Sequence, residues 1–181
     1  MSMKQTTDES KILISACLLG EKVRYDGTDL LIEHPLLKQW KKQGRLIPVC
    51  PEVAGGMNTP RAPSEIIAGN GKTVLLNKAV VRDNTAKDVT QAFIRGAQKA
   101  LLLAKENHCI AAILTERSPS CGSEKIYDGS FSGNTIIGMG VTCALLEQNS
   151  IKVFNQNQLQ ELIEFLKWVH VMKLYNFDLH W

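Results

Sequence analysis

Closely spaced cysteine pairs are missing from this chain. Its five cysteines, Cys17, Cys50, Cys109, Cys121 and Cys143, are odd in number and no two stand near each other in sequence. That excludes a disulfide framework and a CxxC zinc knuckle. A long apolar run is also missing. The longest, Cys109 to Leu114, spans about six residues, against the ~18 a membrane span needs. Met1 to Ser10 is polar and has no signal-peptide core. No block of Lys or Arg stands out. The 21 basic and 18 acidic residues leave a net charge of +3 with the signs interspersed, which gives no ground for a nucleic-acid polymer as partner. Repeats, linkers and low-complexity segments are absent. The expectation is a cytoplasmic protein, with no membrane partner, whose thiols are free or metal-bound.

What is present suits one domain. The 181 residues are 44% apolar and 22% charged, near the globular average, and suffice for one full core but are short for two. Three segments are expected: a polar tail over 1–10, an α/β domain over 11–166, and a C-terminal tail over 167–181 carrying Trp168, Tyr175, Phe177 and Trp181. Lys11 to Ala16 reads as a strand buried on both faces, because its apolar residues do not alternate with polar ones. His34 to Gln43 reads as a helix with Pro35 in its first turn and Gly44 beyond its end. Leu46 to Val49 is a second strand. Residues 50–72 are too rich in Gly and Pro for regular structure, apart from a short strand or hairpin near Ile66, and a loop of that length is usually functional.

The longest helix is predicted over 86–106, with Val89, Phe93, Ala97, Ala100, Leu101 and Ala104 on one face and Thr85 as N-cap. Ile110 to Thr115 and Ile151 to Phe154 are further strands. Helices are predicted over 140–148 and from Leu159 to Leu166. Alternating strands and helices argue a single Rossmann-like α/β domain, its mostly parallel sheet flanked by helices.

Cys17, Cys50 and Cys121 share one address in this pattern: each follows a predicted strand. Open parallel sheets bind ligands at the carboxyl ends of their strands, so the three converge on one edge. Each sits among small or rigid residues, in SACLLG, PVCPE and SPSCGS. Cys109 and Cys143 lie in apolar periodic segments and read as small buried hydrophobes. Three isolated thiolates with no histidine among them can hold zinc, an iron–sulfur cluster, or nothing. Glu52 follows Cys50 by two residues, and either it or Asp26 could serve as a general base for water. A loop cap or surface ion pair is the plainer reading of each. Arg24, the Gly55-Gly56 pair and Arg61 are candidate substrate contacts, and Ser118 and Ser120 precede Cys121. Tyr127-Asp128-Gly129 reads as a turn. Gly133, Gly138 and Gly140 lead into a helix whose N-terminus could cradle a phosphate, although the spacing is not a P-loop.

Two alternatives stand beside an enzyme built on three thiolates. One is a non-catalytic nucleotide-binding α/β module with structural cysteines. The other is a thiol transferase with one nucleophilic cysteine.

Four blocks in order, ISACLLGEKVRYDG, PVCPEVAGGMNTPRAPSEI, ERSPSCGSEKIYDGSFSG and GMGVTCALL, resemble the bacterial thiouracil desulfidase family over residues 11–154 or so. The resemblance implies a Rossmann-like domain with a 4Fe–4S cluster on three cysteines, which here are Cys17, Cys50 and Cys121. It implies removal of sulfur from a small thiolated nucleobase or nucleotide, of the thiouracil or thiouridine monophosphate type, without net redox change. Glu52 and the serines of SPSCG match the family's polar site residues. Two positions depart from the family pattern: Cys143, where a small residue such as Ala is expected, and VFNQ after the last strand in place of an acidic ending.

Overall fold

The computed structural model describes residues 10–175. Four parallel strands form its central sheet: β1 (Lys11–Ser15), β2 (Leu46–Val49), β5 (Cys109–Leu114) and β8 (Lys152–Asn155), in the spatial order β2-β1-β5-β8. Every neighbouring pair is parallel, with Leu13 opposite Ile47 and Ala112, and Ala112 opposite Val153. The chain runs outward from β1 on one side to β2 and on the other to β5. The crevice between the carboxyl ends of β1 and β5 is therefore the topological switch point, where open α/β sheets bind ligands. The label Rossmann-like holds for the layers, while the strand order is nearer the 2-1-3-4 run of flavodoxin-like sheets.

Burial on both faces explains the unbroken apolar strands. Ile12 and Ile14 point into a cluster with Leu37, Trp40, Leu162 and Leu166, under helices α1 (Pro35–Lys42) and α6 (Leu159–Leu174). Leu13 points the other way, with Ala100, Ala104, Cys143 and Leu146 of helices α4 (Thr90–Glu106) and α5 (Val141–Gln148). Cys109 and Cys143 both belong to this second cluster. Helix α6 continues past Leu166 without a break, and Trp168 lies against Phe165 with ring centroids 6.3 Å apart. Phe177 and Trp181 fall outside the described residues.

The structure differs from the sequence reading in three places. The segment after Cys50 holds the expected strand near Ile66 as β3 (Ser64–Ile67), and besides it a four-residue helix, α2 (Pro51–Ala54), and helix α3 (Gly71–Leu75) that were not expected. Strand β3 pairs antiparallel with β4 (Val80–Asp83), which periodicity could not separate from the helix that follows. Helix α4 starts at Thr90 rather than Ala86. Thr85 instead bonds to the Asp83 carboxylate in a turn, and the Asp88 carboxylate takes the first helical N–H, from Thr90, at 2.9 Å. The YDG turn opens the loop of a small hairpin between β6 (Lys125–Tyr127) and β7 (Thr135–Ile137).

The Gly-rich approach to α5 holds protein rather than phosphate. The Val141 N–H donates to the Pro119 carbonyl at 2.9 Å, and the Thr142 and Cys143 N–H groups donate to that of Ser120 at 2.9 and 3.2 Å. A Cβ on Gly140 would strike the Ser120 backbone. The positive end of α5 is thus spent on fixing the loop that carries Cys121.

Candidate active site

The three strand-following cysteines line one cavity of about 710 Å³ at the carboxyl edge of the sheet. Cys17 lies in a single 3-10 turn, Ala16–Leu19, that continues β1. Cys50 follows β2 and caps the start of α2, where Pro51 occupies the first helical position. Cys121 follows β5 by way of the SPS loop. Cys17 and Cys121 are buried and Cys50 is half-buried. Burial pushes all three thiols above their ordinary range. For Cys17 the Thr115 hydroxyl opposes the rise, and for Cys50 the backbone N–H of Val53 does. The Glu52 carboxylate raises each of them further.

Glu52, Arg24, Arg61 and Ser118 line the same cavity. Glu52 Oε2 accepts from Arg61 Nε at 2.6 Å, and the pair is shielded, with side chains 14% and 7% exposed. Arg61 also donates to the Val23 and Asn58 carbonyls and to Thr59 Oγ1. It is therefore a brace for the loop and for Glu52, not a loose cation. Arg24 makes no side-chain hydrogen bond or ion pair among the described residues. Ser118 Oγ accepts from the N–H groups of Ser120 and Cys121, both at 3.1 Å, which leaves its proton to donate.

Four predicted residues lie elsewhere. Asp26 is exposed, and its carboxylate accepts from the Thr28 N–H and hydroxyl at 3.0 and 2.6 Å. The Thr28 bonds hold the Asp26 carboxyl below its usual range. Ser120 is fully buried and shares a 2.8 Å bond with Thr142. Gly55 abuts α4, where a Cβ would strike the Ala92 carbonyl, so its small size serves packing. Gly56, with φ +97°, turns the chain after α2 and borders a second groove rather than the cysteine cavity.

Sequence reasoning missed several lining residues: Ser15, Thr115, Glu65, Glu116, Arg117 and Lys125. Position was the available signal for Ser15 and Thr115, which end β1 and follow β5. The carboxylates among the missed residues are engaged internally. Glu116 is drawn up by burial, but the N–H groups of Ser123, Glu124 and Lys125 and the Ser123 hydroxyl outweigh that and hold it below its ordinary range. Glu65 Oε2 accepts from the N–H groups of Gly129 and Phe131, tying the hairpin loop to β3. Arg117 and Lys125, like Arg24, carry no side-chain partner among the described residues. The cavity wall thus presents three uncommitted cations and carboxylates already in use.

Among the described residues no three or more His, Cys, Asp or Glu side chains gather tightly enough to hold a single metal ion. The cavity is lined by three cysteines and no histidine, and iron–sulfur groups are held by cysteine thiolates. The donor set therefore fits an iron–sulfur group better than zinc. No helix among the described residues is long and apolar enough to cross a membrane.

Comparison with known proteins finds similar chains. A 43% identical Bacillus subtilis (strain 168) protein, named uncharacterized protein YbbK, aligns over 152 residues, 84% of this chain and 99% of the relative. A solved structure described as the [4Fe-4S]-dependent thiouracil desulfidase TudS is also 43% identical. It superposes with a TM-score of 0.80 over 88% of this chain and 99% of its own. The profile of the 2-thiouracil desulfurase family matches residues 12–158, nearly the whole α/β unit around the cysteine cavity, and the chain belongs to that family.

Proposed function

We propose that the protein is an iron–sulfur-dependent, non-redox desulfidase that replaces the thiocarbonyl sulfur of a thiolated pyrimidine with oxygen. The observation that carries this reading is the convergence of Cys17, Cys50 and Cys121, from three different strand ends, on one cavity that also holds Glu52. These cysteines are the proposed ligands of a 4Fe–4S cluster. With three protein ligands, the cluster supplies an open iron that acts as a Lewis acid toward a soft sulfur atom.

The chain's own residues supply the rest. Glu52 Oε2 is held by Arg61, so Oε1 is the oxygen that takes a proton from water as the water attacks the ring carbon. The balance is hydrolytic: water oxygen becomes the ring carbonyl and the sulfur leaves as sulfide, with no electrons supplied or removed. Asp26 is not a candidate for this proton, because its carboxylate is tied to Thr28 outside the cavity. Ser118 donates its hydroxyl proton to an acceptor on the ring, since both of its bonds within the loop are accepted ones. Ser120 supports the loop through Thr142. The volume lies within the ~300–1,000 Å³ of small-molecule pockets. Arg24, Arg117 and Lys125 favour a nucleotide monophosphate over the free base.

No histidine lines the cavity to activate one cysteine as a lone nucleophile. Anaerobic reconstitution tests the proposal. A brown protein absorbing at about 400 nm, releasing sulfide from thiouracil or thiouridine monophosphate, is expected. Cys17→Ser, Cys50→Ser and Cys121→Ser should each lose both the colour and the activity. A colourless protein with stoichiometric zinc, or activity lost in only one of the three variants, refutes it.

A further inference from the structure

Two hydroxyls behind the cysteines, Ser15 buried and Thr115 half-buried, have no part in the scheme above. Ser15 ends β1 and is 3% exposed among Ile, Leu and Ala neighbours. A hydroxyl there costs stability unless its hydrogen bonds are made. Its oxygen accepts the Thr115 N–H at 3.1 Å, and its own proton is then free for Cys121 Sγ, 3.7 Å away. Thr115, the residue directly after β5, places Oγ1 3.1 Å from Cys17 Sγ. A metal-bound cysteine is a thiolate with no proton to give, so in that state the hydroxyl must be the donor. The two contacts are coupled. The Ser15 bond fixes the Thr115 backbone, and the Thr115 backbone sets where Oγ1 points. Cys50 has no hydroxyl partner among the described residues: its donor is the backbone N–H of Val53, and its sulfur also lies 3.7 Å from the Val23 carbonyl.

Resting on the cluster reading, we propose that Ser15 and Thr115 are positioning residues that donate hydrogen bonds to the Cys121 and Cys17 thiolates, orienting them and drawing off part of their charge. Hydrogen bonds to the sulfurs are among the factors that set a cluster's reduction potential. They favour the more negative, reduced state, so removing one shifts the potential downward. The plain structural role, closing the open end of the β1–β5 ladder, leaves the potential unmoved.

The test uses the anaerobically reconstituted wild type with Ser15→Ala, Thr115→Val and Thr115→Ser. Thr115→Val keeps the shape and removes the hydroxyl, while Thr115→Ser restores it. Iron per chain, cluster reduction potential and the rate of bleaching in air are read on each, with melting temperatures of the cluster-free proteins. Ser15→Ala and Thr115→Val are expected to have more negative potentials and to bleach several-fold faster. Thr115→Ser is expected to match wild type, and the cluster-free melting temperature to fall only in Ser15→Ala, which leaves the Thr115 N–H without its acceptor. Unchanged potential and bleaching in Ser15→Ala and Thr115→Val, or a Thr115→Ser that behaves like Thr115→Val, overturns the proposal. If Thr115→Val does not fold, Ser15→Ala decides alone. Failure of the cluster reading shows separately, as a wild-type chain that takes up no iron.

Discussion

Glu52 answers two demands at once. It is placed by α2, a single helical turn that starts at the ligand candidate Cys50, and it is clamped by Arg61 at 2.6 Å. The clamp orients the carboxylate but uses only one oxygen. Glu52→Gln keeps an acceptor for Arg61 and loses the ability to take a proton. The expected outcome is full iron content, a lower melting temperature because Arg61 loses its counter-charge, and a single-turnover rate lower by ~10²–10⁴-fold. A rate per cluster close to wild type would show that the proton goes elsewhere. Arg61→Gln separates the brace from the base. It should lower the single-turnover rate while iron content is retained, because Glu52 stays on α2 but its carboxylate is no longer held.

At the scale of elements, the site depends on how closely α2 can approach α4. Gly55 and Gly96 form a reciprocal contact. A Cβ on Gly96 would strike the Pro51 carbonyl, and one on Gly55 would strike the Ala92 carbonyl. Both obstacles are backbone and cannot step aside. Gly96→Ala must therefore push α2 outward, carrying Cys50 and Glu52 with it. We expect a loss of about 1–3 kcal/mol, the usual range for overpacking, together with reduced iron uptake on reconstitution. Chemical denaturation and an iron assay check the two parts, and full iron occupancy would mean that the loop absorbs the shift.

The same region marks the limit of what the sequence discloses. Strands β1, β2, β5 and β8 were legible because each is a short, largely apolar run, and the central β1 and β5 are buried on both faces. Their carboxyl ends located Cys17, Cys50 and Cys121 in one crevice. Strand β3 was legible near Ile66, but β4 was harder to see: it has four residues, and Arg82 and Asp83 blur its pattern. Asp26 and Glu52 look alike as loop carboxylates. Only the fold separates a carboxylate tied to Thr28 at the surface from one braced at the cavity. Ser15 and Thr115 were hidden for another reason: a hydroxyl at a strand end acquires its meaning from a partner about a hundred residues away.

For the molecule as a whole, the two cysteines outside the cavity predict its alkaline behaviour. Burial pushes the thiol of Cys109 up to about 11 and that of Cys143 up to about 12, from 9.0. In the folded state they stay protonated where the unfolded chain has already ionised. Their contribution to stability is thus fully present below pH 9.0 and is lost as pH rises toward about 11 and about 12. Within that window the unfolded state releases up to one more proton per thiol, a slope of ~1.4 kcal/mol per pH unit for each. The Cys109→Ala/Cys143→Ala protein lacks this term, although each change should cost about 1 kcal/mol at neutral pH. Its iron content should match wild type, since neither residue lines the cavity. Melting curves from pH 8 to 11 should therefore converge: wild type starts higher and falls faster. Parallel curves would mean that these thiols ionise in the folded protein as readily as in the unfolded chain. Iron loss in the Cys143→Ala protein alone would reassign the ligand set.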